Sequence, residues 1–145
     1  MATTIALANR KGGSGKTTST LNIADGLGRK GYRVLVIDAD SQAQATTGSG
    51  ILPHQLDMSI YQLLHLAAQN ELSQESIRNT IIQEAKSYDL IPSQADLSAL
   101  EIELSSVVGR ESLLRNLLME VEKEYDFIII DLPPSLGLIT VNGLT

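Results

Sequence analysis

Two lysines, three glycines and two threonines fall within residues 11–18, Lys-Gly-Gly-Ser-Gly-Lys-Thr-Thr, a grouping suited to holding a polyphosphate. In a loop of the form G-x-x-x-x-G-K-[ST], successive backbone N–H groups wrap phosphate oxygens, the lysine reaches the β/γ oxygens and the hydroxyl binds Mg²⁺. Gly15, Lys16 and Thr17 match the second half of that pattern. Its first glycine would fall on Arg10, and Lys11 stands at the loop entrance instead, which is the deviant Walker A form. Gly12, Gly13 and Gly15 let the backbone approach phosphate oxygens at φ angles that a β-carbon disfavours. Ser14 stands between the second and third of these glycines. Thr17 and Thr18 open a helix, whose free N–H groups and positive dipole end favour an anion. A flexible, exposed Gly/Ser/Lys loop is the alternative. Its flanks speak against that: residues 3–8 are β-compatible, and Leu21, Ala24 and Leu27 recur at helical spacing.

Carboxylates close two apolar runs further on. Residues 34–37 are continuously apolar, as in a parallel strand covered on both faces, and lead into Asp38 and Asp40. Residues 125–131, Tyr-Asp-Phe-Ile-Ile-Ile-Asp, end in Asp131. An apolar strand closed by an aspartate is the Walker B arrangement, in which the acid helps hold Mg²⁺ beside the phosphate loop. Taken alone that signal is weak. Paired with Lys16 and Thr17 on an upstream strand, loop and helix, it becomes specific. Residues 132–137, Leu-Pro-Pro-Ser-Leu-Gly, read as a proline-set turn that either senses the terminal phosphate or only connects strand to helix.

The elements that must position these residues are legible in outline. Gly31 can end the first helix. Residues 41–50, rich in Ser, Gln, Thr and Gly, read as a loop able to rearrange, with Gln42 and Gln44 either ordering it or merely solvated. Weak helical patterns cover residues 59–68 and 74–86, and a short strand is predicted at 90–92. The longest helical pattern spans 94–123, with Leu97, Leu100, Leu104, Val107, Leu114, Leu118 and Val121 on one face and Gly109 placed to kink or divide it.

Composition narrows the function classes. A chain of 145 residues makes at most one domain, burying roughly 70% of its unfolded surface if compact. A net charge of −6, with four Tyr, one Phe and no Trp, argues against a strongly nucleic-acid-binding surface on this stretch. With no cysteine, disulfides, thiolate metal sites and iron–sulfur ligation are excluded. No apolar run approaches the roughly 18 residues needed to span a bilayer, and the start of the chain is too polar for a secretory signal. We read the chain as soluble and cytoplasmic. His54 and His65 lack metal-ligand spacing, and Arg110 reads as a solvated helix charge or a partner contact.

Three stretches together, Lys-Gly-Gly-Ser-Gly-Lys-Thr-Thr at 11–18, Val-Leu-Val-Ile-Asp-Ala-Asp-Ser-Gln at 34–42 and Ile-Ile-Ile-Asp-Leu-Pro-Pro-Ser-Leu-Gly at 128–137, resemble the ParA/MinD group of deviant Walker ATPases. Ile-Pro-Ser at 91–93, residues 103–111 and Leu-Ile-Thr-Val-Asn at 138–142 are most similar to its chromosome and plasmid partitioning ParA (Soj) branch. The resemblance covers essentially the whole chain but not the whole family domain. It implies an α/β P-loop NTPase fold, a mostly parallel sheet flanked by helices and incomplete on its C-terminal side. Residues 1–145 then form the N-terminal part of the domain, and the first strand is left at an open apolar edge that invites strand exchange. A fragment, a truncated paralogue or a chain that needs a partner is expected.

By that resemblance ATP and Mg²⁺ are the cofactors. Lys16 neutralises the β/γ phosphates, the amides of residues 13–18 line the cradle, and Thr17 ligates Mg²⁺. Asp38 and Asp131 act in the metal shell, and Asp40 positions the attacking water. Lys11 reaches across a two-fold interface to a partner's phosphates, with Gly12 at the same interface; a solvated surface lysine is the plainer alternative. An added cation there is worth on the order of 10³ to 10⁵ in rate, by analogy with arginine fingers. The implied function is an ATPase switch that forms a homodimer in the ATP state, segregates DNA or positions cargo, and answers to a ParB-like stimulating protein. Non-specific DNA contact belongs to residues expected beyond this chain, and no membrane contact is implied. The alternatives are a truncated non-catalytic nucleotide- or partner-binding module and a MinD-like positioning ATPase.

Overall fold

The computed structural model describes residues 2–8, 15–104, 106–109 and 112–133. Four parallel strands run through it: β1 (Thr3–Leu7), β2 (Val34–Asp38), β3 (Asp89–Ile91) and β4 (Phe127–Asp131), side by side in the order β1-β4-β2-β3. The two central strands carry the Val/Leu/Ile runs, and every residue of β2 is buried, as parallel strands packed on both faces require. Alternation along β2 feeds two cores. Leu35 and Ile37 join Ile128 and Ile130 under one layer of helices, while Val34 and Val36 join Leu90 and Ile129 under the other.

The second face is covered by α1 (Lys16–Arg29), which buries Ala24 there. Gly31, at φ 94°, ends this helix as its sequence predicted. The amide of Tyr32 donates to the Leu27 carbonyl at 3.2 Å and that of Gly31 to the Gly28 carbonyl at 3.0 Å, the paired bonds of a Schellman cap. The first face is covered mainly by α3 (Ile60–Ala68) and α6 (Leu113–Val121). Ser59 and Gln62 close a capping box at the start of α3, which begins within the weak helical pattern at 59–68.

Three expectations are revised. Residues 41–50 are not all loop, because α2 (Gln44–Gly48) forms within them. The amide of Thr46, one of the donors a helix leaves free in its first turn, is taken by the Asp38 carboxylate at 2.8 Å. The pattern at 74–86 stops at α4 (Gln74–Thr80), after which the Ile82 amide and carbonyl pair with those of Leu90 at 2.8 and 2.9 Å, antiparallel. A tertiary backbone pairing at the outer edge of β3 overrides the local helical preference there. The stretch 94–123 divides into a 3₁₀ turn (Ala95–Ala99), α5 (Leu100–Glu103) and α6, with Gly109 at φ 78° interrupting rather than kinking it. Its apolar face is nonetheless the buried one, since Leu97, Leu100, Leu104, Leu114 and Val121 all lie in the core.

Strand β1 lies at the edge expected of it. Among the described residues it pairs only with β4, and its Thr3 and Thr4 are exposed. No described helix is long and apolar enough to cross a membrane.

Candidate functional site

Strand register brings the carboxylates together. Asp38 and Asp131 are paired positions at the carboxyl ends of β2 and β4, and both are fully buried. Helix α1 begins beside them. Gly15, at φ 77° and ψ 12°, precedes its first residue and carries no side-chain cap. A Cβ built at Gly15 would meet nothing within 4 Å, so the backbone angle rather than crowding is what calls for glycine.

Lys16 and Thr17 both reach Asp131. The Lys16 ammonium, largely buried, forms an ion pair with Oδ1, and the Thr17 hydroxyl donates to Oδ2 at 2.8 Å. Thr20 adds a third, longer contact from its hydroxyl to Oδ1 at 3.5 Å and a closer one to the Lys16 carbonyl at 3.0 Å. Sequence reasoning missed Thr20. The available signal was its spacing, one turn beyond Lys16 and Thr17 on the same helix face. Thr18 is exposed. Lys11, Gly12, Gly13 and Ser14 lie outside the described residues, as do Arg110 and most of the proline-set turn after Asp131.

Asp38 has different company. Its Oδ2 accepts from the Thr46 amide at 2.8 Å and the Thr46 hydroxyl at 2.7 Å, and its Oδ1 accepts from the Asp40 amide at 3.1 Å. Burial pushes its carboxyl up to about 7, against the pull of these hydrogen bonds, and the nearby Asp131 charge adds to the rise. Asp40 is also buried, with Oδ1 accepting from the Gln42 amide at 3.0 Å, so the backbone rather than the side chain of Gln42 orders this turn. Thr46 and Ser93 were not singled out as site residues by the sequence, yet both are fully buried against these two aspartates.

His65 lies elsewhere, with Nε2 2.7 Å from Glu103, which also accepts from the Tyr61 hydroxyl at 2.6 Å; this cluster belongs to the surface between α3 and α5. Among the described residues, no group of three or more His, Asp and Glu side chains could cage a metal. The donors that do converge, one hydroxyl and two carboxylates, are hard oxygens. They fit magnesium, which is usually held by one or two carboxylates, substrate phosphates and water rather than by an all-protein cage.

A parallel sheet that gathers acidic strand ends at the amino end of a helix entered through a left-handed glycine defines the P-loop nucleotide-binding class. Residues 2–145 match the AAA_31 family model, described as an AAA domain, and the chain belongs to that family, a ParA/MinD-type P-loop ATPase group. It is 40% identical over 145 residues to the sporulation initiation inhibitor protein Soj of Bacillus subtilis, covering all of this chain and 55% of Soj. It is 38% identical to the chromosome partitioning protein ParA of Caulobacter vibrioides, over 97% of this chain and 51% of that protein. The structure of a cobyrinic acid a,c-diamide synthase from Mycobacterium smegmatis, with bound ATP analog and magnesium, superposes with a TM-score of 0.89 at 33% identity. That match covers 99% of this chain and 56% of the synthase, so the chain spans about half the length of the proteins it matches.

Proposed function

We propose that residues 1–145 are the N-terminal part of a ParA-type ATPase domain that hydrolyses Mg²⁺-ATP to ADP and phosphate and uses ATP to pair with a second copy. The observation that carries this reading is the convergence of Lys16 and Thr17, from the start of α1, on Asp131 at the end of β4. A lysine and a hydroxyl held on one buried carboxylate can exchange that partner for phosphate oxygens and a cation with little reorganisation. Bound Mg²⁺ would neutralise charge on the β and γ phosphates. Lys16 supplies the protein's own positive charge there, and the amides at the start of α1 supply aligned dipoles. Thr17, Asp38 and Asp131 are the residues that would hold the metal. Asp40 orients the attacking water, because its loop starts where a γ phosphate would reach. Positioning and charge compensation carry the rate, since phosphoryl transfer asks little covalent chemistry of the protein.

Lys11 acts in trans across the ATP-bound homodimer, with Gly12 keeping the two loops close. The biological role we propose is segregation of DNA or positioning of cargo, in the cytoplasm, with a ParB-like stimulating protein as partner; similarity to a chromosome partitioning ParA supports it. Nucleoid DNA is contacted through residues beyond this chain.

Solution mass by light scattering tests the switch. The Asp40→Ala chain, which binds ATP but cannot align water, is measured with Mg²⁺-ATP and then with Mg²⁺-ADP. A dimer with ATP alone supports the proposal, and phosphate release by the wild type that is lost in Lys16→Ala and Asp40→Ala completes it. A monomer in both nucleotides without phosphate release would leave a nucleotide- or partner-binding module instead.

A further inference from the structure

The two aspartates of the β2 end belong to one closed hydrogen-bond circuit. The Thr46 hydroxyl has a single proton, which it gives to Asp38 Oδ2 at 2.7 Å, so its lone pair is what receives the Ser93 amide at 2.9 Å. The Ser93 hydroxyl in turn donates to the Asp40 carbonyl at 2.7 Å, and the Asp40 amide returns to Asp38 Oδ1 at 3.1 Å. Asp38, Thr46 and Ser93 have no exposed surface and Asp40 has 6%, so water offers these donors and acceptors little substitute. The circuit joins the end of β2, the first turn of α2 and the residue two beyond the end of β3.

We propose that Thr46 is a positioning residue that locks Asp38 and Asp40 into one rigid unit, so that the loop after β2 keeps its water-orienting carboxylate in fixed register with the metal-shell carboxylate. Threonine is suited to this task because one hydroxyl must donate to a carboxylate and accept from an amide at once. Valine has the same shape and can do neither. This deepens the reading of Asp40 and Asp38 given above and rests on it for its catalytic consequence, while the mechanical coupling stands on the geometry alone.

The test compares Thr46→Val with Thr46→Ser in the whole chain, using two measurements. The first is amide hydrogen exchange at Asp40 and Ser93 without nucleotide. Thr46→Val strands the Ser93 amide in the interior and loosens the Asp40 turn, so exchange at both rises on the order of tenfold while β4 is unchanged, and Thr46→Ser restores protection. The second is steady-state phosphate release. Thr46→Val lowers kcat on the order of tenfold with KM for ATP nearly unchanged, because Lys16 and Thr17 are untouched, and Thr46→Ser recovers most of it. Unchanged exchange at Asp40 and Ser93 in Thr46→Val overturns the proposal, as does a rise in KM with kcat intact. A wild type without phosphate release defeats the proposed function, and the exchange comparison alone then decides the coupling. Where Thr46→Val fails to fold by circular dichroism, Ser93→Ala replaces it; this change removes only the donor to the Asp40 carbonyl, and exchange at Asp40 must rise for the coupling to stand.

Discussion

Asp38 and Asp131 occupy matched positions on neighbouring strands, are equally buried, and end apolar runs that look alike in sequence, yet they keep different partners. Asp131 is met by an ammonium and hydroxyls from α1, groups that a nucleotide can claim. Asp38 is met by neutral donors from its own loop, which hold that loop in shape. An aspartate at a strand end therefore has no fixed duty. What faces it across the sheet end decides whether it serves an exchangeable cation or caps a turn.

The largest effects should come from the lysines, of which Lys16 tests the Asp131 side of this contrast. Lys16→Ala is expected to lower both nucleotide binding and phosphate release, the latter on the order of 10²–10³-fold. Lys11→Ala should retain binding but lose ATP-driven pairing and turnover on the order of 10³-fold, read by equilibrium binding of a fluorescent nucleotide beside phosphate release. Equal loss of binding in the two variants would sink the assignment of Lys11 to a partner's site.

The Asp38 side is tested by pH. Its folded carboxyl is raised to about 7 by burial, whereas the unfolded chain ionises near the ordinary value of about 3.9. Between those values the unfolded state gives up its proton while the folded state keeps it. Stability from this group is thus fully present at low pH and is lost as pH rises through about 7. Urea titrations in EDTA should show wild type losing stability relative to Asp38→Asn across that window. Parallel curves would mean that the neutral donors, not burial, set the state of Asp38.

Gly28→Ala should move α1 and with it the groups that meet Asp131. An added Cβ would lie 2.0 Å from the Ser87 carbonyl oxygen, so the helix must shift, at a cost of about 1–3 kcal/mol in thermal melts. The smallest effect belongs to Thr20→Val. Its hydroxyl lies 3.5 Å from Asp131, and about 0.5–1 kcal/mol of stability is expected to go, with phosphate release nearly unchanged. A large loss of turnover there would make Thr20 part of the working site.

The start of α1 was legible because its signals are local. A strand, a glycine loop and a helix are consecutive in the chain, and Lys16 and Thr17 are adjacent. The loop after β2 was less so. Residues 41–50 have little apolar periodicity and look like solvated loop, but a buried carboxylate supplies the acceptor that a helical first turn at Thr46 needs. The helix expected over 74–86 stops at Thr80 for a related reason, since Ile82 finds its backbone partner in Leu90.

By itself, then, the sequence determined the strands, the start and end of α1, the apolar face of 94–123, and the residue types able to handle a phosphate and a hard cation. These depend on periodicity, caps and short-range spacing. Only the tertiary structure decided that Asp38 and Asp131 stand in register, that Asp131 is shared by Lys16 and Thr17 across more than a hundred residues, and that hydrogen bonds through Thr46 and Ser93 link Asp38 with Asp40. Those relations arise when strands distant in sequence pair side by side. Polar groups that look solvated along the chain are then buried together, where each must find a partner.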